Sequence, residues 1–223
     1  MALLDQQSKE ELKKFFEQVE KKIEVILITD ENNKAPQFDP NEIAKQLLEE
    51  VKEVSNGKFD FMVRENDSAF VKALGIDIEE TGGKFGPTIV FKDNPRMIFL
   101  GLPSGHEFSV FLEDIHMLDK GHAHLPEDVV EKIKNINRKL EVLVFVTPTC
   151  PYCPGMTYLA HSMAYLNENI RGIMVEAMEF PEFANAFSIM GVPRTIIRDA
   201  ETKEVIVDQE GMVPPQMIIE KLQ

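Results

Sequence analysis

The chain has 223 residues, of which 43 % are hydrophobic, so it can bury a core and is not a disordered segment. Its formal net charge of −14 argues against nucleic acid and anionic membrane as partners, since phosphate binding needs clustered Lys and Arg, and no basic stripe appears. No apolar run approaches the roughly 20 residues that span a bilayer, and no basic-then-apolar secretory leader opens the chain, so a cytoplasmic protein is expected.

A helix is expected over Ser8 to Glu20, capped by Ser8 with Glu11 three residues on. A buried strand follows over Ile23 to Thr29, then a helix over Pro40 to Val54 with Ile43, Leu47, Leu48 and Val51 inward. Phe59 to Val63 reads as a strand and Ser68 to Leu74 as a short helix. Thr88 to Lys92 and Met97 to Leu100 read as paired strands across Asp93-Asn94-Pro95. A helix over Ser104 to Leu118 closes the N-terminal half.

Lys120 to Pro126 reads as a linker, and the order then repeats. A helix from Pro126 to about Leu140 precedes a strand at Leu143 to Val146. A helix from Pro154 to Asn167 carries Met156, Leu159, Met163 and Leu166 inward. Ile173 to Ala177 is a strand and Pro181 to Ile189 a short helix. Thr195 to Arg198 and Glu204 to Val207 form a hairpin, and Pro214 to Leu222 is the last helix. Gly86-Pro87-Thr88 corresponds to Val192-Pro193-Arg194-Thr195, and Gly101 to Gly211. Two copies of one α/β unit, residues 1–120 and 126–223, account for the length better than one large sheet.

The two cysteines, Cys150 and Cys153, stand three apart between a buried strand and a helix. Two cysteines are too few for a disulfide-built scaffold or for a zinc site without other ligands, and a C-x-x-C in a chain without a leader reads as a redox motif. At a helix N-terminus the unpaired N–H groups favour an anion, so Cys150 is expected to be the exposed, low-pKa nucleophile and Cys153 the shielded resolving thiol. Pro151 suits the first helical turn, and Tyr152 either contacts substrate or covers the helix end. Val192 and Pro193 precede a strand, where a proline leaves adjacent backbone free to pair with an extended peptide. His161, His122 and His124 are read as surface or linker residues rather than metal ligands, and Met156, Met163, Met174 and Met178 as core. No metal and no cofactor is expected.

Strand–Cys150-Pro151-Tyr152-Cys153–helix, followed by Val192-Pro193 and Gly211, resembles the thioredoxin and glutaredoxin superfamily. Two such units in one chain are similar to the prokaryotic protein disulfide oxidoreductases, also called glutaredoxin-like proteins. Those usually carry a dithiol in each half, whereas here Asn32-Asn33-Lys34-Ala35 fills the first position. The arrangement also resembles the N-terminal domain of the flavoprotein component of alkyl hydroperoxide reductase. The resemblance implies two tandem thioredoxin-like units, each a mixed sheet flanked by helices. It implies thiol–disulfide exchange with disulfide-containing proteins through Cys150 and Cys153, and a flavoprotein donor of the thioredoxin reductase type. The other readings are electron delivery to a peroxiredoxin, and a binding or chaperone-like module whose dithiol is incidental. Thioredoxins carry a buried acid six positions before the first cysteine. Val144 stands there in this chain, so another group or water must handle the Cys153 proton. Gly191-Val192-Pro193 and the single Gly211 depart from the glutaredoxin pocket, which makes glutathione the poorer donor.

Overall fold

A computed structural model describes residues 2–34 and 37–222. The N-terminal half contains α1 (Gln6–Glu17), β1 (Ile23–Thr29), α2 (Pro40–Val54), β2 (Phe59–Glu65), α3 (Ser68–Ala73), β3 (Thr88–Phe91), β4 (Asn94–Leu100), a single 3-10 turn at Gly105–Glu107 and α4 (Phe108–Lys120). The C-terminal half contains α5 (Glu127–Lys134), β5 (Leu140–Val146), α6 (Cys153–Leu166), β6 (Ile170–Glu176), α7 (Pro181–Ala186), β7 (Arg194–Asp199), β8 (Val205–Glu210) and α8 (Pro215–Glu220). No helix among the described residues is long and apolar enough to cross a membrane.

Each half builds four strands in the same pattern. β1 pairs parallel with β2 and antiparallel with β3, and β3 pairs antiparallel with β4. β5 likewise pairs parallel with β6 and antiparallel with β7, and β7 with β8. The two sets then join edge to edge. β4 runs parallel to β6 from Met97↔Gly172 to Leu100↔Val175, which makes one eight-stranded sheet in the order β2-β1-β3-β4-β6-β5-β7-β8. This pairing explains the apolar sequence of both strands: a strand at the middle of a sheet covered on both faces buries successive side chains instead of alternating them. Ile98, Phe99, Leu100, Met174 and Val175 are all fully buried.

Two core clusters lie on opposite faces. One holds Phe59, Phe91, Phe99 and Phe111 together with Val144, Cys153, Met156 and Met163. The other holds Ile28, Val71 and Ile98 together with Leu143, Phe145, Val175 and Phe183. Each draws residues from both halves, so neither half closes its own core.

Several details differ from the sequence expectations. The cap of α1 is Asp5, whose carboxylate accepts the Ser8 N–H at 2.7 Å; a charged acceptor outcompetes the Ser8 hydroxyl and starts the helix two residues earlier. The helix expected to run to Leu140 ends at Lys134, because Leu140 is already paired with Ile170 and Asp199 in the sheet. Met156, Met163 and Met174 are core as expected, but Met178 is 73 % exposed, lying beyond the end of β6. His161 is fully buried rather than superficial.

Candidate functional site

The dithiol sits at the end of the sheet where β5 gives way to α6. A seven-residue, fully buried strand delivers the chain to Val146, and the loop 147–152 turns it back into the helix. The Cys150 N–H closes that turn on the Thr147 carbonyl at 3.1 Å. Cys150 and Cys153 form a disulfide. Cys153 is the first residue of α6 and is fully buried, while Cys150 lies one turn ahead and is 8 % exposed. Of the two sulfur-bearing residues, Cys150 alone reaches solvent, although it is less open than expected from its place before the helix. No side chain caps α6. Its first-turn N–H groups therefore remain available to an anion on the Cys150 side.

The neighbours expected from sequence are partly brought together here. Pro151 lies in the exposed turn ahead of α6, and Pro154, not Pro151, occupies the first helical turn. Tyr152 is 62 % exposed at the helix head. The Val192–Pro193 peptide bond is cis. β7 pairs with β5 so that Arg194 stands opposite Phe145, which places Pro193 at the same sheet end as the loop carrying Cys150. Val192 is half-buried, and its backbone makes no bond among the described residues.

The N-terminal half shows the same scaffold with its site closed. The Gly86–Pro87 bond is also cis. The carbonyl of Gly86, the residue in the place of Val192, accepts a bond from Asn33 Nδ2 at 2.7 Å. Asn41 donates to the carbonyls of Asp30 and Asn33, and Asp30 accepts the N–H groups of Asn32 and Phe85. The loop that would hold a dithiol is tied by amide side chains to the proline loop beside it. Ala35, the last of the four residues replacing the motif, lies outside the described residues.

Val144, in the place of the thioredoxin acid, is fully buried in the core. An acid reaches the region from the other half. Glu107 closes the 3-10 turn ahead of α4 and is 1 % exposed. That turn is pressed onto the dithiol loop: the His106 N–H bonds the Pro148 carbonyl at 3.1 Å, and a Cβ on Gly105 would stand 2.2 Å from the same oxygen. Glu107 faces Thr157, one helical turn beyond Cys153 on α6. Neither carboxyl oxygen has a hydrogen-bond partner. Burial pushes its pKa up to about 7, the Thr157 hydroxyl and His161 pulling weakly against this and Asp114 pushing with it. Nothing in the local sequence marks Glu107, which reads as an ordinary acid at a helix start. Only the docking of the two halves gives it a neighbour on α6.

A thioredoxin-type scaffold repeated twice across one sheet, with a single Cys-x-x-Cys disulfide at the head of a helix, defines a tandem thioredoxin-fold protein. Residues 140–222 match the family described as Thioredoxin domain. Over 191 residues the chain is 25 % identical to the F subunit of alkyl hydroperoxide reductase from Pseudomonas aeruginosa, covering 86 % of this chain and 33 % of that protein. It is 25 % identical over 199 residues to the Escherichia coli counterpart of the same name, covering 89 % and 34 %. The chain thus spans about a third of the length of the curated relatives it matches. Among solved structures, the F subunit of alkylhydroperoxide reductase from Enterococcus faecalis superposes with a TM-score of 0.77 at 22 % identity, covering 99 % of both chains. A protein disulfide oxidoreductase from Aeropyrum pernix superposes at 0.79 and 22 %, covering 99 % of this chain and 94 % of that one.

Proposed function

We propose that the protein is a thiol–disulfide oxidoreductase acting on protein disulfides, with Cys150 as nucleophile and Cys153 as resolving thiol. The observation that carries this reading is the asymmetry of the single Cys150–Cys153 disulfide, in which one partner alone reaches solvent beside the cis-Pro193 loop. In the reduced protein the Cys150 thiolate attacks one sulfur of a target disulfide. The other target sulfur leaves as a thiolate, and a mixed disulfide forms. Cys153, deprotonated, then attacks the Cys150 sulfur, the second target thiol departs, and two electrons have passed to the target. The free backbone of Val192 pairs with the target segment. Glu107, which faces Thr157 one helical turn along α6 from Cys153, takes the Cys153 proton through intervening water, and its raised pKa suits that transfer. The units of residues 1–120 and 126–223 divide the work: the second holds the thiols, and the first supplies the acid.

The resemblance to the F subunits of alkyl hydroperoxide reductase favours one physiological setting. In it, electrons arrive from a flavoprotein reductase and leave to the disulfide of a peroxiredoxin. The test is reduction of insulin disulfides with dithiothreitol as donor. Wild type turns over, Cys150→Ser does not, and Cys153→Ser attacks once and stalls as a trapped mixed disulfide. Full turnover by Cys150→Ser overturns the reading. Partners trapped on Cys153→Ser then identify the physiological target.

A further inference from the structure

Next to the dithiol loop the two halves enclose a hollow of about 460 Å³ that the redox chemistry does not use. Asn32 and Phe38 contribute to its wall from the first half, and Pro148, Glu176, Met178 and Glu179 from the second. Pro148, two residues before Cys150, is the part of the dithiol loop that lines the hollow.

One wall is acidic. Glu176 ends β6 and is 2 % exposed. Its Oε2 accepts the Glu179 N–H at 2.6 Å, while its Oε1 has no hydrogen-bond partner. Glu179 receives the Leu102 N–H on both oxygens, at 3.0 and 3.3 Å. The approach of these two acids to the first half depends on Gly101, where a Cβ would stand 2.5 Å from that of Glu176. A buried carboxyl oxygen without a donor is costly unless a ligand supplies one. The rest of the lining mixes the apolar Phe38, Leu102, Pro148 and Met178 with the polar Asn32, Asn33 and Ser104, and Phe38 and Met178 are 48 % and 73 % exposed at its edge. Of the two lysines at the opening, Lys84 is paired with Glu182 at 3.3 Å, and Lys34 is exposed to screening solvent.

We propose that this hollow is a specificity subsite for a basic side chain, arginine or lysine, placed near the reacting disulfide of the target polypeptide. The guanidinium or ammonium brings the donors that Glu176 Oε1 lacks, and the aliphatic stem lies against Phe38 and Met178. Burial raises both carboxyls, Glu179 to about 8, so docking a cation releases a proton and tightens as pH rises through that range. The chain's net charge of −14 attracts such a target at long range. This assignment rests on the dithiol reading and gives it a substrate class.

The test uses the full chain, reduced and freed of reductant. The probes are synthetic peptides that share one intramolecular disulfide and differ only in carrying Arg, Gln or Glu beside a cysteine. The second-order rate of reduction is followed. The arginine peptide is reduced about tenfold faster than the glutamine peptide, the low end of the coupling between close charge pairs, and the glutamate peptide is slowest. Glu176→Gln brings the Arg-to-Gln ratio to within about twofold. Should that variant not fold, Met178→Ala, a change at an exposed position, lowers the same ratio through the stem contact. Equal rates for the arginine and glutamine peptides on wild type overturn the subsite and leave the oxidoreductase standing. Failure to reduce any peptide or insulin overturns the dithiol reading itself.

Discussion

His161 Nδ1 and Asp114 Oδ2 stand 2.6 Å apart across the seam between α6 and α4, with both side chains fully buried. The Ile98 carbonyl lies 3.1 Å from His161 Nε2 and can only accept, so Nε2 carries a hydrogen and one further proton lies between Nδ1 and the carboxyl. Burial pushes the Asp114 pKa up, and His161 pulls against it. His161→Ala strips β4 of this donor and leaves a buried acid with no partner. It should cost about 3–5 kcal/mol, the range for removing one member of a buried pair. The urea midpoint of the oxidised protein measures it; a loss under about 1 kcal/mol would mean that water replaces the ring.

Glu107 gives stability a specific pH dependence. Its folded pKa of about 7 lies above the ordinary carboxyl value of 4.5, so the folded state holds the proton more tightly. The stabilisation is full below pH 4.5, fades as pH rises to about 7, and is gone above it. Glu107→Gln abolishes this component. Between pH 5 and 9, in steps of about one unit, wild type should lose up to about 3 kcal/mol relative to the variant. A constant difference across that range would disprove the shift. The same substitution should slow Cys153 attack on a mixed disulfide at neutral pH.

Gly172 and Gly155 make opposite predictions. On β6, a Cβ at Gly172 would meet the Ala160 carbonyl carbon and oxygen at 2.5 and 2.3 Å, backbone atoms that hold α6 against the sheet. Gly172→Ala should destabilise by about 1–3 kcal/mol. At Gly155, in the first turn of α6, the nearest atom is the Met212 sulfur at 3.0 Å, the movable end of a long side chain. Gly155→Ala should be neutral or stabilise by up to about 1 kcal/mol through helix propensity. Thermal unfolding of both variants reads the signs.

Residues 126–223 expressed alone should not reproduce the parent. β6 would become an edge strand, with Ile173, Met174 and Val175 losing the partner that β4 provides. We expect aggregation or a markedly lower melting temperature, together with slowed turnover from loss of Glu107. Equal stability and activity in the fragment would remove any role for the first half.

The sequence makes some of this legible because the signals are local. The strand Ile23–Thr29 and the helix Pro40–Val54 are readable to the residue, since an unbroken apolar run and Pro40 at a helix start each mark their own bounds. The pairs Pro87/Gly101 and Pro193/Gly211 are legible as a repeat, and the structure gives each the same bond: the glycine N–H meets the proline carbonyl at 2.8 Å in both halves. The join of β4 to β6 is not legible, because a parallel edge pairing leaves no mark beyond the apolarity that any buried strand shows. Glu107, Glu176 and His161 escape a sequence reading for the same reason. Each acquires its surroundings from an element dozens of residues away along the chain.

The continuous sheet also sets how the molecule can move. Two globules on a tether would swing about residues 121–125, but here four registered pairs, from Met97↔Gly172 to Leu100↔Val175, clamp one half to the other in the middle of the sheet. Hinge opening at the linker would rip out the centre of the molecule. The disulfide, the hollow beside it and the acid behind it therefore travel as one block, and any reorientation needed to meet a donor and then a target must be made by the whole block tumbling or by the partner coming to it.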